Sequence, residues 1–465
     1  MKLPALRLPN TYVLIFSILA LIALASWIMP GGRYDTRLVD GRTQIDPASF
    51  RNVPSVPQGL DALLMAPIKG FAEAAPIIAF VLVVGGAFGV LQKTGAIEAM
   101  IHAVARKHAT SPLARALFLP LFITLFSLGG ATFGMNEEAI PFVLIFVPLA
   151  LALGYDSIVG VSIPFLGSQV GFAAAFLNPF NVGVAQGIAG VPLFSGMGYR
   201  LVVWFLATAL TIAFLMWYAA RVRRTPEYSP TFALDQSLRA GGMAALHGQQ
   251  HAVLGARHRL VLALFAVSLA VMVAGVVRYG WFVEQIAALF MAMGIAAGLA
   301  ARLDGDAIAD AFLHGARDLV GTAIVIALAR GTVVLARDAH IIDSALHAIA
   351  PLIQSSVPAF AAQKMFAIQS VINFFIHSGT GQAALTMPVM APLADLAGIS
   401  RQTAVLAFQF GEFTTPMIPT SGITVGVLAL ARIPWLTWAR WMVPLQLGYA
   451  VLALALLAPP GYIGW

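Results

Sequence analysis

The sequence predicts an all-α polytopic membrane protein built from two inverted-topology repeats, each with a re-entrant hairpin and a broken transmembrane helix. Three observations lead to this prediction. The chain of 465 residues is 60% hydrophobic and only 10% charged, whereas a soluble globular chain carries about 25% charged residues. Long runs without charge are frequent, and the same pattern of glycine, proline and glutamine occurs in both halves.

The hydrophobic runs are long enough to cross a bilayer. Crossing takes about 20 apolar residues in a helix, and a charge-free run such as 157–199 exceeds that length. The first run, 8–32, is also longer than the roughly 7–15 apolar residues of a cleaved signal peptide. We therefore expect this run to remain in the protein as a membrane helix.

The two halves share a spaced pattern of small and polar residues. Gly70, Gly86, Ile97, Gly134, Pro141, Gln169, Gly171 and Pro179 correspond in order to Gly315, Gly331, Ile342, Gly381, Pro388, Gln409, Gly411 and Pro419. Repeats whose hydrophobic segments are broken by Gly and Pro at matching places are typical of secondary transporters. In such proteins the substrate site lies where the breaks meet.

We predict nine crossings and two re-entrant hairpins. The crossings are 11–29, 74–92, 157–196, 201–220, 260–277, 285–301, 319–336, 402–431 and 441–459. The hairpins are 113–153 and 365–396, and amphipathic helices at 95–107 and 340–351 lie on the inner and outer membrane surfaces. Because two crossings connect the halves, the second repeat starts on the opposite side from the first.

The basic residues indicate orientation. Sixteen Lys and Arg fall in predicted inner loops and ten in outer segments, which favours a cytoplasmic N-terminus in the bacterial inner (plasma) membrane. The net charge of +7 lies in short loops beside the spans, so no nucleic-acid partner is expected. The predicted segments are 1–60 (first helix and outer loop), 61–220 (repeat 1), 221–259 (basic cytoplasmic linker), 260–302 (connecting helices) and 303–465 (repeat 2).

Four breaks in the membrane segments carry the predicted site. They lie at 129–138, 171–181, 377–382 and 411–422, and each is rich in Gly, Pro or hydrogen-bonding side chains. Backbone that leaves a helix at membrane depth is tolerated only where protein or a water-filled cavity covers it. Half-helix N-termini suit a carboxylate, and half-helix C-termini suit Na⁺ or an ammonium group. We therefore expect a zwitterionic or anionic small molecule to bind there.

Three acids lie at these breaks. Glu137 and Glu138 occupy the first hairpin tip, and Glu412 opens the second broken crossing. Ionisable residues inside a membrane are costly and mark functional sites by default. They could carry protons or pair with a cationic substrate, and the alternative is that they only cap half-helix N-termini.

The candidate substrate-binding residues all lie at the four breaks. They are Gly134, Asn136, Glu137, Glu138, Asn178, Asn181, Ser378, Gly379, Thr380, Gln382, Glu412, Thr415, Thr420 and Ser421. Residues that could coordinate a coupling Na⁺ are Thr132, Asn136, Ser378 and Thr380. The amides and hydroxyls in the broken crossings could equally well cap freed backbone groups. We expect Arg330, inside a span, to pair with an acid or reach the surface rather than to bind substrate.

Other chemistries lack support in the sequence. The phosphate-binding motif Gly-x-x-x-x-Gly-Lys-Ser/Thr does not occur, which argues against direct use of ATP. There is no cysteine and no His/Cys metal spacing. A membrane-embedded enzyme would need a nucleophile and a base that converge, and none occurs at a recognisable spacing. We therefore expect no enzyme activity and no cofactor other than Na⁺ or H⁺ as a coupling ion; a channel remains an alternative.

Several motifs resemble a known family. They are 8–14 (LPNTYVL), 27–34 (WIMPGGRY), 134–138 (GMNEE) and the run 377–410. Nearly the whole chain resembles the four-carbon-dicarboxylate anaerobic carriers of the ion transporter superfamily, and within them the YfcC group of basic amino acid antiporters. The resemblance implies two inverted repeats with the substrate at the hairpin tips, and a homodimer that moves its transport unit against a fixed scaffold. Residues 411–415 (GEFTT) depart from the Gly-Asp and following Asn of that group, which leaves the exact substrate open.

The resulting hypothesis is a secondary transporter, ion-coupled or exchanging, of small amino acids. Basic amino acids such as arginine, ornithine or lysine are favoured, because Glu137, Glu138 and Glu412 suit a cationic group. A carrier of four-carbon dicarboxylates or short carboxylates is the alternative, since the half-helix dipoles alone would serve it.

Overall fold

The computed structural model describes residues 11–39, 42–45, 49–247, 254–281, 283–354, 358–460 and 465. The motif residues Leu8, Pro9 and Asn10, and parts of the predicted segments 1–60 and 221–259, lie outside the described residues.

Helices dominate the structure. The prediction of an all-α chain is wrong for the loop after the first helix, where four short strands form two antiparallel pairs, β1 with β4 and β2 with β3. These strands are β1 Gly31–Arg33, β2 Thr36–Val39, β3 Arg42–Ile45 and β4 Arg51–Val53.

The helices of the first half and linker follow the predicted order, with additions. They are α1 Thr11–Ala25, α2 Leu60–Glu73, α3 Ala75–Lys93, α4 Ala96–Thr110, α5 Pro112–Phe133, α6 Ile140–Ala152, α7 Ser157–Ser162, α8 Pro164–Ala173, α9 Val184–Ala189, α10 Met197–Arg224 and α11 Phe232–His247. Short turns of other helix types occupy Glu137–Ala139, Pro179–Gly183 and Pro226–Tyr228.

The second half repeats the same order after two connecting helices. Its helices are α12 Ala256–Tyr279, α13 Val283–Ala300, α14 Gly305–Asp318, α15 Val320–Asp338, α16 Ile341–Gln354, α17 Pro358–Asn373, α18 Gly379–Leu396, α19 Arg401–Gly411, α20 Gly422–Leu430 and α21 Trp435–Leu456. A tight 3₁₀ turn at Glu412–Met417 separates α19 from α20. Both predicted amphipathic helices are present, as α4 and α16.

Three helices were not predicted: α2, α14 and α11. The first two carry charges such as Lys69 and Asp306, so no charge-free run revealed them. The breaks are also shorter than predicted. Helix α5 continues to Phe133 and α8 to Ala173, and α18 already begins at Gly379.

Among the described residues, seven helical stretches are long and apolar enough to cross a membrane. They are Ala75–Lys93, Pro112–Phe133, Met197–Arg224, Val283–Ala300, Val320–Asp338, Arg401–Leu430 and Trp435–Leu456. Helix α5 therefore has the length of a full crossing, although the sequence placed it as one arm of a hairpin. The nine crossings and the re-entrant geometry stay predictions.

Helices of the two halves pack against each other reciprocally. Helix α2 lies along α15, and α3 lies along α14. A Cβ added to Gly70 would come within 2.5 Å of the Gly331 nitrogen, and one added to Gly315 within 2.2 Å of the Gly85 carbonyl oxygen. The backbones thus touch at both crossings. The repeat pattern relates Gly70 to Gly315 and Gly331 to Gly86, and the partner of Gly315 is Gly85, one residue before Gly86.

The linker helix α11 docks at the base of the first hairpin. Asp156 begins α7 by accepting from Val159 N–H at 2.9 Å, and its other carboxylate oxygen accepts from Ser229 Oγ at 2.7 Å. Asp235, in α11, accepts from Ser157 N–H at 3.3 Å and from Thr231 Oγ1 at 2.9 Å. At the base of the second hairpin, an exposed ion pair joins Asp395 to Arg401 at 2.6 Å.

Candidate substrate-binding site

The first hairpin tip is a sharp turn between α5 and α6. Gly134 has φ +79°, a left-handed conformation that glycine adopts without steric cost. The Asn136 N–H then donates to Glu138 Oε2 at 2.8 Å, which buries that carboxylate in the turn. Gln169 of α8 donates to Asn136 Oδ1, so the tip is fixed to the neighbouring broken crossing. The Glu137 side chain is partly exposed and lines a cavity.

The second hairpin tip begins helix α18. Ser378 is its N-cap, because its Oγ accepts from the Gly381 N–H at 3.3 Å. Thr380 Oγ1 donates to the Phe180 carbonyl oxygen at 2.9 Å, across 200 positions of sequence. This bond joins the second tip to the break in the first repeat.

Both tips line one cavity of about 270 Å³. The polar and glycine residues of its wall are Glu73, Gly134, Asn136, Glu137, Glu138, Arg330, His377, Ser378, Gly379, Thr380 and Gly422. Apolar walls come from Ala74, Ile77, Phe172, Phe180, Trp281, Ile326 and Ile423. The predicted tip segments 129–138 and 377–382 therefore meet, and seven of the fourteen candidate binding residues share this wall.

Charges at the cavity wall come from helices α2 and α15 as well as from the first tip. Arg330 Nε donates to Glu73 Oε2 at 3.2 Å, and Arg337 donates to Glu73 Oε1. The expected ion pair of Arg330 with an acid is therefore present. With Glu137 and Glu138, three carboxylates and one guanidinium line the same space.

The candidates in the first broken crossing lie outside the cavity wall and cap backbone. Asn178 Oδ1 accepts from the Phe180 N–H at 2.8 Å and the Asn181 N–H at 3.2 Å. Its Nδ2 donates to the Gly130 carbonyl oxygen at 3.3 Å, and Asn181 Nδ2 donates to the Phe172 carbonyl oxygen at 3.2 Å. Both side chains are fully buried. The sequence left open whether these amides bind substrate or cap backbone groups, and the observed contacts are capping contacts.

The second broken crossing is similar. Thr420 Oγ1 donates to the Phe374 carbonyl oxygen at 2.5 Å, and Ser421 caps α20 by accepting from the Thr424 N–H at 3.4 Å. Thr415 Oγ1 donates to Glu412 Oε2 at 3.0 Å. Asn373 Nδ2, which the sequence did not single out, donates to the hydroxyls of Thr414 and Thr415, both at 2.9 Å.

Glu412 lies directly behind the second tip. A Cβ added to Gly379 would lie 3.5 Å from Glu412 Oε1, and this oxygen is buried with no hydrogen-bond partner in the described part of the chain. Glu412 is 2% exposed and does not line the cavity. Gly379 thus leaves room between the carboxylate and the cavity wall.

Two further candidates face away from the cavity. Gln382 is fully buried and donates to Gln369 Oε1 at 2.8 Å, between the two hairpin arms. Thr132 Oγ1 donates to the Leu128 carbonyl oxygen at 2.6 Å within its own helix. Of the four residues proposed for Na⁺, Asn136, Ser378 and Thr380 line the cavity and Thr132 does not. The sodium site stays a prediction.

Sequence reasoning missed several wall residues. Glu73 comes from an unpredicted helix, and Phe172, Phe180 and Trp281 have no local signal that separates them from other buried aromatics. The position of Glu73, one residue before the charge-free run 74–92, is the one sequence feature that could have drawn attention to it.

Comparison with known proteins identifies the family of the chain. A family profile described as "C4-dicarboxylate anaerobic carrier" matches residues 8–458. The chain belongs to this family. An Escherichia coli (strain K12) protein, under the provisional name basic amino acid antiporter YfcC, is 38% identical over 473 residues, covering 93% of this chain and 92% of that protein. An uncharacterised Haemophilus influenzae protein is 28% identical, covering 96% and 95%.

Membership of this family makes the chain a multi-pass membrane transporter and not an enzyme. The resemblance read from the four motifs is confirmed. Two solved structures are similar at greater distance: the YdaH transporter of Alcanivorax borkumensis, with TM-score 0.42, 16% identity and coverage of 98% and 99%, and MtrF of Neisseria gonorrhoeae, with TM-score 0.41, 17% identity and coverage of 98% and 95%.

Proposed function

We propose that the protein is a secondary transporter that exchanges small amino acids, with basic amino acids such as arginine, ornithine and lysine as its substrates. The observation that supports this most is the charge distribution of the cavity wall. Three carboxylates and one guanidinium face a space of about 270 Å³. A basic amino acid carries two positive groups and one negative group, so its charges are complementary to that wall.

The size and polarity of the cavity also fit such a substrate. Pockets for drug-sized ligands measure about 300–1,000 Å³, and this one is slightly smaller, as suits a single amino acid. Phe172, Phe180 and Trp281 supply apolar wall for the aliphatic part of a side chain. Polar groups of both hairpin tips and of α15 are then available to the charged groups of the amino acid.

The reciprocal glycine contacts support our proposal that the halves are inverted-topology repeats with re-entrant hairpins. Gly70 meets Gly331 and Gly315 meets Gly85, which is within one residue of the Gly86 contact expected around a local two-fold axis. We further propose a bacterial inner-membrane location with a cytoplasmic N-terminus, a homodimer, and Na⁺ or H⁺ as a coupling ion. The excess of basic residues in predicted inner loops supports the orientation.

The second candidate substrate is a four-carbon dicarboxylate. The family description names such a substrate, and helix α18 starts at the cavity with its free N–H groups. Glu137 and Glu138, however, would repel a dianion at short range. The relative at 38% identity, whose provisional name gives basic amino acid antiport, favours the first candidate.

Purified protein in liposomes separates these functions. Liposomes loaded with unlabelled arginine should take up labelled arginine by saturable counterflow, and unlabelled ornithine or lysine inside should support the same uptake. If the liposomes show counterflow of succinate but not of arginine, the protein is a dicarboxylate carrier and our proposal is wrong. Ionic currents far above transporter turnover would indicate a channel.

A further inference from the structure

Arg330 is held in the cavity wall with part of its guanidinium unused. Its Nε donates to Glu73 Oε2 at 3.2 Å. The two terminal nitrogens have no acceptor within the part of the chain that the structure describes, and the side chain is 39% exposed. A guanidinium with both terminal nitrogens free presents the planar pair of donors that binds a carboxylate through two parallel hydrogen bonds.

The backbone and the Nε of Arg330 are both fixed. Its neighbour Gly331 packs on α2, where an added Cβ would lie 2.7 Å from the Ala66 carbonyl oxygen. Glu73, at the end of the same α2, holds the Nε and is itself held by Arg337. Preorganisation by such supporting contacts lowers the entropy cost of binding a ligand.

Among the cavity-lining residues that the structure describes, Arg330 is the only lysine or arginine. Glu137 and Glu138 on the first tip would repel a carboxylate and attract an ammonium or guanidinium group. The wall therefore has a cationic position on α15 and an acidic position on the first hairpin. A molecule with a carboxylate at one end and a cation at the other has a single favourable orientation.

We propose that Arg330 is the residue that recognises the α-carboxylate of the substrate, with Glu73 as its positioning residue. This inference rests on the proposed function, because it names how an amino acid is oriented in that same cavity. The substrate carboxylate binds the terminal nitrogens of Arg330, and its cationic side chain points toward Glu137. Arg330 thus distinguishes amino acids from the amines that remain when their carboxylate is removed.

The test uses arginine and agmatine, which carry the same guanidinium and differ by the carboxylate. Inhibition of labelled-arginine counterflow by each compound should show the wild type preferring arginine by about tenfold or more. In Arg330→Gln, the concentration of arginine that half-inhibits counterflow should rise at least tenfold, and that of agmatine should change by no more than about twofold. The preference for arginine should therefore disappear. Arg330→Lys keeps the positive charge and loses the planar pair of donors, so its preference for arginine over agmatine should lie between those of the wild type and Arg330→Gln.

Arg317→Gln is the control. Arg317 is an exposed arginine of α14 that does not line the cavity and is not an ion-pair partner of Glu73. This variant should keep the preference for arginine. Equal weakening of arginine and agmatine binding in Arg330→Gln, or the same loss of preference in Arg317→Gln, would assign Arg330 a structural role only and overturn the inference. Size-exclusion profiles and melting temperatures identify any variant that does not fold, and Arg330→Lys then decides.

The same data separate this inference from the proposed function. Arginine exchange by the wild type with an unchanged preference in Arg330→Gln overturns the role of Arg330 and leaves amino acid exchange in place. Failure of the wild type to exchange arginine, ornithine or lysine overturns the proposed function, and the carboxylate role falls with it.

Discussion

The two hairpin tips converge on one cavity and differ in charge. The first tip, after Gly134, presents Glu137 and Glu138, whereas the second, from Ser378, presents hydroxyls and the N-terminus of α18. Both line the same cavity. The cavity therefore has an anionic wall at the first tip and a neutral wall at the second. An asymmetric substrate needs such a division, because a symmetric site would bind its two ends alike.

The hairpin bases differ in a related way. At the first base, Asp156 and the linker-helix residue Asp235 are both buried. At the second, Asp395 and Arg401 form an exposed ion pair. Exposed ion pairs contribute about 0–1 kcal/mol, while buried carboxylates depend on their hydrogen bonds. Four predictions test how far these differences between the halves matter.

The largest expected effect comes from the acidic tip. Glu137→Gln keeps the shape of the side chain and removes a carboxylate that lines the cavity. We expect arginine exchange to fall at least 100-fold, as measured by initial counterflow rates in liposomes, with an unchanged size-exclusion profile. Glu227→Gln, at an exposed acid outside the cavity, is the control. Full exchange by a well-folded Glu137→Gln variant would remove this residue from the site.

A smaller effect is expected from the neutral groups of both tips. Asn136→Ala leaves Gln169 without its acceptor, and Ser378→Ala removes the cap of α18. Each loss corresponds to about 1–2 kcal/mol, or roughly a 5–30-fold rise in the concentration of arginine that half-saturates exchange. If neither variant changes that concentration, the tips do not form one binding site.

The bond between the repeats should matter less. Thr380→Val removes the hydrogen bond to the Phe180 carbonyl oxygen, and one such bond contributes about 0.5–1.5 kcal/mol. Exchange should weaken about two- to tenfold. Thr132→Val is the matched control, because the Thr132 hydroxyl bonds only within its own helix. Equal effects of both variants would show that the contact between repeats has no special role.

The smallest effect concerns the first base. Burial raises the pKa of Asp235 above its ordinary value, against the lowering by its bonds to Ser157 and Thr231. The folded protein therefore favours protonated Asp235 more than the unfolded chain does. The stability that Asp235 contributes through this preference declines as pH rises above about 4. In Asp235→Asn, the melting temperature should decline less than in the wild type as pH rises above about 4. A steeper decline in the variant would contradict the assigned sign.

Much of this architecture can be predicted from the sequence, because charge-free runs and broken glycine patterns are local signals. The two tips and the amphipathic helices α4 and α16 follow from them. The strands at 31–53 and helices α2, α14 and α11 do not, since their residues are mixed in polarity. The Glu73–Arg330 pair joins positions 257 apart, and no local pattern encodes such a contact. The amides of Asn178 and Asn181 could serve ligand or backbone equally, and only coordinates distinguish these uses.

The crossings of Gly70 with Gly331 and of Gly315 with Gly85 have a mechanical consequence. Where two main chains touch directly, there is no rotamer that can change to absorb sliding, so α2, α3, α14 and α15 resist relative displacement. Rearrangement during a transport cycle is easier where flexible side chains border unfilled apolar space. The small void of about 90 Å³ edged by Met29 and Leu385, between α15–α16 and the second hairpin, is such a place.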